Sequence, residues 1–168
     1  MGSKFVDVSS IMQVIGCVYN DPQLLENSDK YVITEQDFTT DFHRITFGAI
    51  YKIYELGAKK ITLENISDFL STRPKQEAIF NQEKGSEWLM KCAAAAIPTA
   101  FDYYYGRMKK FSLLRAMEGS GVDPTDLYDP DNLLDVKRRQ AQEEWLDNTS
   151  IVDIANNITP IINVIIYF

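Results

Sequence analysis

Residues 41–56 read DFHRITFGAIYKIYEL, and this stretch decides the fold class. Ile45, Ala49, Ile53 and Leu56 fall on one stripe, with Phe47, Ile50 and Tyr54 on the stripe beside it. Apolar residues three and four apart mark an amphipathic helix with one face turned to a core. Gly57 follows, where a helix commonly stops in a left-handed residue. The same spacing recurs on both sides of this segment, and strand signals are scarce. The chain therefore reads as all-α.

Working outward toward the N-terminus, Thr34 and Asp37 have capping-box spacing before Phe38. Asp21-Pro22 reads as an N-cap and a first-turn proline, opening a short helix through Leu24 and Leu25. Ser9 or Ser10 can cap a helix from Ile11 to about Tyr19. Toward the C-terminus, Thr62 caps a helix with Leu63, Ile66, Phe69 and Leu70 inward, which ends before Pro74. A helical hairpin is predicted at about 87–117. Its arms run from Trp88 to Ala96 and, after a turn at Ile97-Pro98, through Phe101, Tyr104, Met108, Phe111 and Leu114. Thr99 and Asp102 have capping-box spacing at the start of the return arm. Farther on, Asp131 is positioned to cap a helix from Asn132 to about Trp145, with a narrow stripe of Leu133, Leu134, Ala141 and Trp145. The expected architecture is a small helical bundle, then the hairpin, then a linker and a solitary linker helix.

Charge divides the chain. Residues 1–118 hold 15 acidic and 14 basic residues, whereas 119–168 hold 9 and 3. The change falls in the Gly/Pro/Asp cluster at 118–124, which is of linker type. Three segments follow: a helical N-terminal domain over 1–118, an acidic linker over 119–131, and a linker helix over 132–168 leading into the start of a further domain. The net charge of −7 excludes a global basic footprint on nucleic acid. The β-branched stretch at 159–168 is too short to span a bilayer and reads as a strand that begins another domain or docks on a partner. With no signal-peptide pattern and no long apolar run, a cytoplasmic location is expected. Cys17 and Cys92 sit among apolar residues, as buried reduced thiols do.

No residue set looks catalytic, cofactor-binding or metal-binding. There is neither a GxxxxGK[ST] phosphate loop nor a GxGxxG turn. One histidine and two isolated cysteines do not make an ordinary zinc site. His43 reads as a helix-start histidine hydrogen-bonded to backbone. Asp123, Asp126, Asp129 and Asp131 lack the glycine and glutamate of a calcium loop and read as solvated linker. Arg107, Lys109 and Lys110, and likewise Lys137, Arg138 and Arg139, read as solvated helix faces. The aromatics of 101–105 could stack bases, but helical spacing favours core or subunit interface. Trp88, Leu89, Phe101, Tyr104, Tyr105, Met108, Phe111 and Leu114 exceed what one hairpin can bury, which predicts an oligomer interface.

Several strings, taken in order, resemble the N-terminal domain of DnaB-type replicative helicases. Gln13-Val14-Ile15-Gly16-Cys17 through Asp21 is similar to the family's first helix, and Asp37-Phe38 with His43-Arg44-Ile45-Thr46-Phe47 to its "D-F…H-R-x-I-F" segment. Leu56-Gly57 with Ile61-Thr62-Leu63 is similar to a stretch that the family carries in longer form. Gly85-Ser86-Glu87-Trp88-Leu89 stands where it has "G-G-x-x-Y-L", Ile97-Pro98-Thr99 where it has "T-P-S", and Tyr104 to Met117 resembles its "Y…L-R-x-L" helix. The departures, Gln13 for glutamate and Ser86 for the second glycine among them, suggest a divergent phage or mobile-element member.

The resemblance implies an assembly and protein-interaction domain acting in DNA replication. Hairpins would pair between subunits into a hexameric collar that meets primase and, in some cases, a helicase loader. ATP and Mg would belong to a motor domain beyond the linker, which would also carry the contacts to single-stranded DNA. Leu133, Leu134, Ala141 and Trp145 would dock on the adjacent subunit. Two other readings are the helicase-interaction domain of a bacterial-type primase and a free-standing phage replication adaptor.

Overall fold

The computed structural model describes residues 2–156, and among them all regular structure is helical. The α-helices are α1 (Val8–Asn20), α2 (Asp41–Glu55), α3 (Leu63–Ser71), α4 (Pro74–Gln82), α5 (Gly85–Ala95), α6 (Phe101–Gly119) and α7 (Val136–Asn148), and residues 151–156 are helical as well. Short 3-10 turns span Pro22–Glu26, Glu35–Asp37, Pro98–Ala100 and Pro124–Asp126. The all-α expectation holds. The stretch at 159–168 lies outside the described residues.

The chain forms two compact units, Val8–Tyr105 and Met1–Asp7 with Gly106–Phe168. Their division falls inside α6, not at the expected linker after residue 118. In the first unit, capping follows the sequence closely. Asp21 accepts from the Gln23 N–H at 3.2 Å, Thr34 N–H donates to Asp37 at 2.8 Å, and Thr62 and Asn65 cap each other at 3.0 and 3.1 Å. Local chemistry of this kind is set within four residues, so it is readable from sequence. Helix α4 begins where the sequence pattern marks only the end of α3. Pro74 occupies its first turn, where a missing N–H costs nothing.

The core of this unit joins Ile11, Val14, Ile15 and Val18 of α1 to Phe42, Phe47, Ile50 and Ile53 of α2, with Ile66, Leu70, Phe80 and Leu89, all buried. Helices α1 and α5 approach closely: a Cβ on Gly16 would lie 2.3 Å from the carbonyl oxygen of Cys92. Only glycine permits that approach. At the α4–α5 junction Lys84 takes a left-handed φ of 52°, and a Cβ on Gly85 would lie 2.4 Å from the Phe80 ring.

The second unit is built on α6 and α7, and it corrects three expectations. Phe5, Phe111, Leu114, Met117, Tyr128, Leu146 and Ile154 form one buried cluster. Helix α7 is therefore packed, not solitary, and its buried residues are Gln142 and Leu146. It starts at Val136, capped by Asp135 accepting from the Arg138 N–H at 3.0 Å, rather than at Asn132 under Asp131. The segment 119–131 is likewise no solvated linker, since Pro124 and Tyr128 are buried.

Candidate protein-interaction site

One face of α2 carries Asp41, Arg44, Ile45, Gly48, Ala49 and Lys52, and it forms one wall of a groove of about 790 Å³. Phe69 of α3, Arg73 at the N-cap of α4, Gln76 and Ile79 of α4, and Glu35, Gln36 and Tyr51 complete its lining. The spacing of the α2 residues is that of a single helical face, about 16 Å long from Asp41 to Lys52 at 1.5 Å per residue. A Cβ on Gly48 would meet no heavy atom within 4 Å, so the wall is open at that point. A second concavity of about 420 Å³, lined also by Ile33, Thr34, Phe38 and Phe47, shares Glu35, Gln36, Arg44, Gly48 and Tyr51 with the first.

The charges of the groove are partly spent. Arg44 donates to the carbonyls of Glu35 and Phe38 at 3.2 and 2.7 Å and to Asp41 at 3.2 Å, so it holds the 35–38 turn against α2. Lys52 pairs with Glu55 at 3.1 Å. Arg73 lies 3.8 Å from the centre of the Phe69 ring and donates to the Phe69 carbonyl at 2.8 Å and the Thr72 hydroxyl at 3.0 Å.

His43, at the start of α2, is buried and forms a three-ring cluster with Phe42 and Trp88, whose centroids lie 5.6 and 5.2 Å from its own and 4.9 Å from each other. Its Nδ1 has no hydrogen-bond partner, contrary to the expectation of a bond to backbone. Burial, and after it the neighbouring Arg44, holds the imidazole below its ordinary pKa. Both thiols are buried as expected, and burial raises the Cys92 pKa to about 11.

The eight residues expected at an oligomer interface separate into two groups. Leu89, Phe101, Tyr105, Met108, Phe111 and Leu114 are buried within the chain, which corrects the expectation of an exposed stripe. Phe101 and Tyr105 meet Tyr31 edge-to-face at 4.8 and 5.1 Å, and the Tyr105 hydroxyl accepts from the Val32 N–H at 2.8 Å. Phe111 meets Tyr128 edge-to-face at 5.2 Å. Trp88 and Tyr104 are half-buried, whereas Met90, Ile97 and Tyr103, which the hairpin's apolar spacing does not mark as interface residues, are exposed. Asp102 does not serve as a capping-box residue. It takes the Tyr31 hydroxyl and pairs with Lys30 at 3.3 Å, and the Tyr31 hydrogen bond foremost holds its carboxyl below the usual range.

The four linker-helix residues also separate. Leu133 and Leu134 precede α7 and are 73% and 94% exposed. Ala141 and Trp145 line a pocket of about 250 Å³ with Leu127, Asp126, Arg138 and Gln142, and Trp145 packs against the buried cluster.

The basic run on α6 turns inward rather than to solvent. Arg107 pairs with Asp7 and, at 2.9 Å, with Glu143, which also takes the Tyr128 hydroxyl. Lys110 donates to the Leu146 carbonyl near the end of α7 at 2.6 Å. Burial, and then the Glu143 carboxylate, pushes the Tyr128 phenol well up. The aspartates are spent as well. Asp123 accepts from the Thr125 N–H at 3.0 Å, Asp131 pairs with Lys4 at 2.9 Å, and Asp129 exchanges two backbone hydrogen bonds with the Gln142 side chain.

The family model of the DnaB-like helicase N-terminal domain matches residues 7–109. The chain belongs to that family. The matched span takes in the whole compact unit Val8–Tyr105, whose close α1–α5 contact falls at the motif glycine Gly16. The chain is 38% identical over 148 residues to the SPbeta prophage-derived uncharacterized protein YorI of Bacillus subtilis (strain 168). That alignment covers 88% of this chain and 29% of the relative, so the chain spans under a third of the length of the protein it matches. The relative's prophage origin agrees with a divergent phage member. No solved structure matches. No helix among the described residues is long and apolar enough to cross a membrane.

Proposed function

We propose that this chain is the assembly and partner-docking domain of a replicative DNA helicase of phage type. The observation that carries the reading is the family match over 7–109, which coincides with one independently packed helical unit. On this reading the domain gathers copies of the protein into a ring and receives primase, and in some systems a loader. The ATP- and Mg-dependent motor acting on single-stranded DNA belongs to other parts of the full-length protein. The domain's own residues supply surfaces, not chemistry.

Two surfaces are available for this work. Trp88 and Tyr104, with the exposed Met90, Ile97 and Tyr103, offer apolar area for pairing with a second copy. Leu133 and Leu134 offer a paired apolar knob for the neighbouring subunit, with Ala141 and Trp145 at the adjoining pocket as a secondary contact. Co-elution of the chain with the helicase-interaction domain of a phage primase tests the docking role. A stable complex is expected, and separate elution at concentrations well above micromolar would contradict it.

A further inference from the structure

The groove between α2 and the α3–α4 wall has no part in the assembly surfaces just described, yet its chemistry is selective. Ile45, Phe69 and Ile79 give it a half-buried apolar lining, and Gly48 leaves one wall without a side chain. Arg73 is held ready. Its guanidinium rests on the Phe69 ring and spends donors on a carbonyl and a hydroxyl, and none of its contacts is a carboxylate. A guanidinium has five donors in a planar fork that matches a carboxylate. Of the lining cations, Arg44 is paired with Asp41 and Lys52 with Glu55, which leaves Arg73 as the one with no carboxylate partner. A guanidinium without a carboxylate beside an apolar lining favours an occupant that brings a carboxylate to Arg73.

We propose that this groove receives an acidic amphipathic helix from a protein partner, with apolar residues over Ile45, Phe69 and Ile79 and a carboxylate on Arg73. The α2 residues that line it run about three helical turns, from Asp41 to Lys52, at 5.4 Å per turn. That is the setting of helix-in-groove recognition, in which residues three and four apart anchor the ligand. The inference rests on the reading of this unit as a protein-interaction domain and specifies the chemistry of one partner.

The test is selection from a display library of helical peptides, randomised on one face, against the whole chain. Enrichment of glutamate and aspartate beside apolar residues at three-and-four spacing is expected. Affinities of the selected peptides, read by fluorescence anisotropy, should fall at least about tenfold, or 1.4 kcal/mol, for both Gly48→Leu and Arg73→Glu. Exchanging the peptide's key glutamate for lysine should restore binding to Arg73→Glu. Gly48→Leu fills the groove without entering the core, and an unchanged circular dichroism spectrum verifies its fold.

Enrichment of basic peptides, peptides indifferent to both variants, or no enrichment would overturn the assignment. So would self-association of the chain that Gly48→Leu abolishes, because the occupant would then be a second copy. If primase binding and ring assembly persist while the groove variants change nothing, the groove assignment fails and the interaction-domain reading stands. If groove binders appear but neither ring nor primase complex forms, the reverse holds.

Discussion

Gly16 and Gly48 show what one hydrogen atom decides in this chain. A Cβ at Gly16 would run into the Cys92 backbone, whereas one at Gly48 meets open space. Gly16→Ala should therefore separate α1 from α5 at a cost of about 1–3 kcal/mol, the usual range for overpacking. Gly48→Ala should instead stabilise α2 by roughly 0.5–1 kcal/mol through helix propensity. Urea denaturation of the two variants measures both, and equal effects would contradict the packing argument. His43 supplies a pH dependence. Its folded-state pKa lies below the ordinary 6.5, so the unfolded chain binds the proton more readily. The histidine's contribution is full above pH 6.5 and is lost as pH falls from 6.5 toward the depressed folded value. Its position in the first turn of α2 also disfavours a cation there. Stability should decline with acidification in this window, and His43→Phe should flatten that part of the profile. An unchanged profile in the variant would assign the acid sensitivity to other groups.

At the scale of elements, the second helix of the C-terminal unit is where tertiary context overrides sequence pattern. Its buried positions are Gln142 and Leu146, four apart, and because one of the two is polar they make no legible apolar stripe. What seats α7 is long-range: Arg107 on Glu143, Lys110 on the Leu146 carbonyl, and Gln142 on the backbone of Asp129. None of these partners lies within one helical turn, so the propensity and spacing that placed α2 and the Thr62 cap had nothing to detect here. Composition alone made Arg107 and Lys110 look solvated, and the same absence of context left Phe111 and Leu114 looking exposed. Replacing Arg107 with methionine keeps the stem and removes the charge pairs. We expect a loss of roughly 1.5–3 kcal/mol for such charged hydrogen bonds, read as faster amide exchange across 136–148. Exchange unaltered there would mean that apolar packing alone seats the helix. Phe111→Asp should unfold its unit, because losing a buried Phe costs about 3–5 kcal/mol before the charge is counted. A folded variant that merely dissociates from an oligomer would restore Phe111 to an interface.

At the scale of the whole molecule, each compact unit presents its own kind of surface. The family-matched unit Val8–Tyr105 carries the groove along α2 and the exposed Met90 and Ile97. The other unit carries Leu133 and Leu134, nearly bare of intramolecular contact and directly before a well-capped helix. Two adjacent leucines left to solvent beside a formed core are a liability unless something covers them. We propose that the covering partner is another copy of the protein. Native mass spectrometry of the natural full-length protein, with Mg-ATP, tests it most directly. The account predicts a sixfold mass, lost to smaller species in the Leu133→Asp, Leu134→Asp double variant while its helical circular dichroism is retained. A monomer under these conditions, or a hexamer undisturbed by the double substitution, would contradict it.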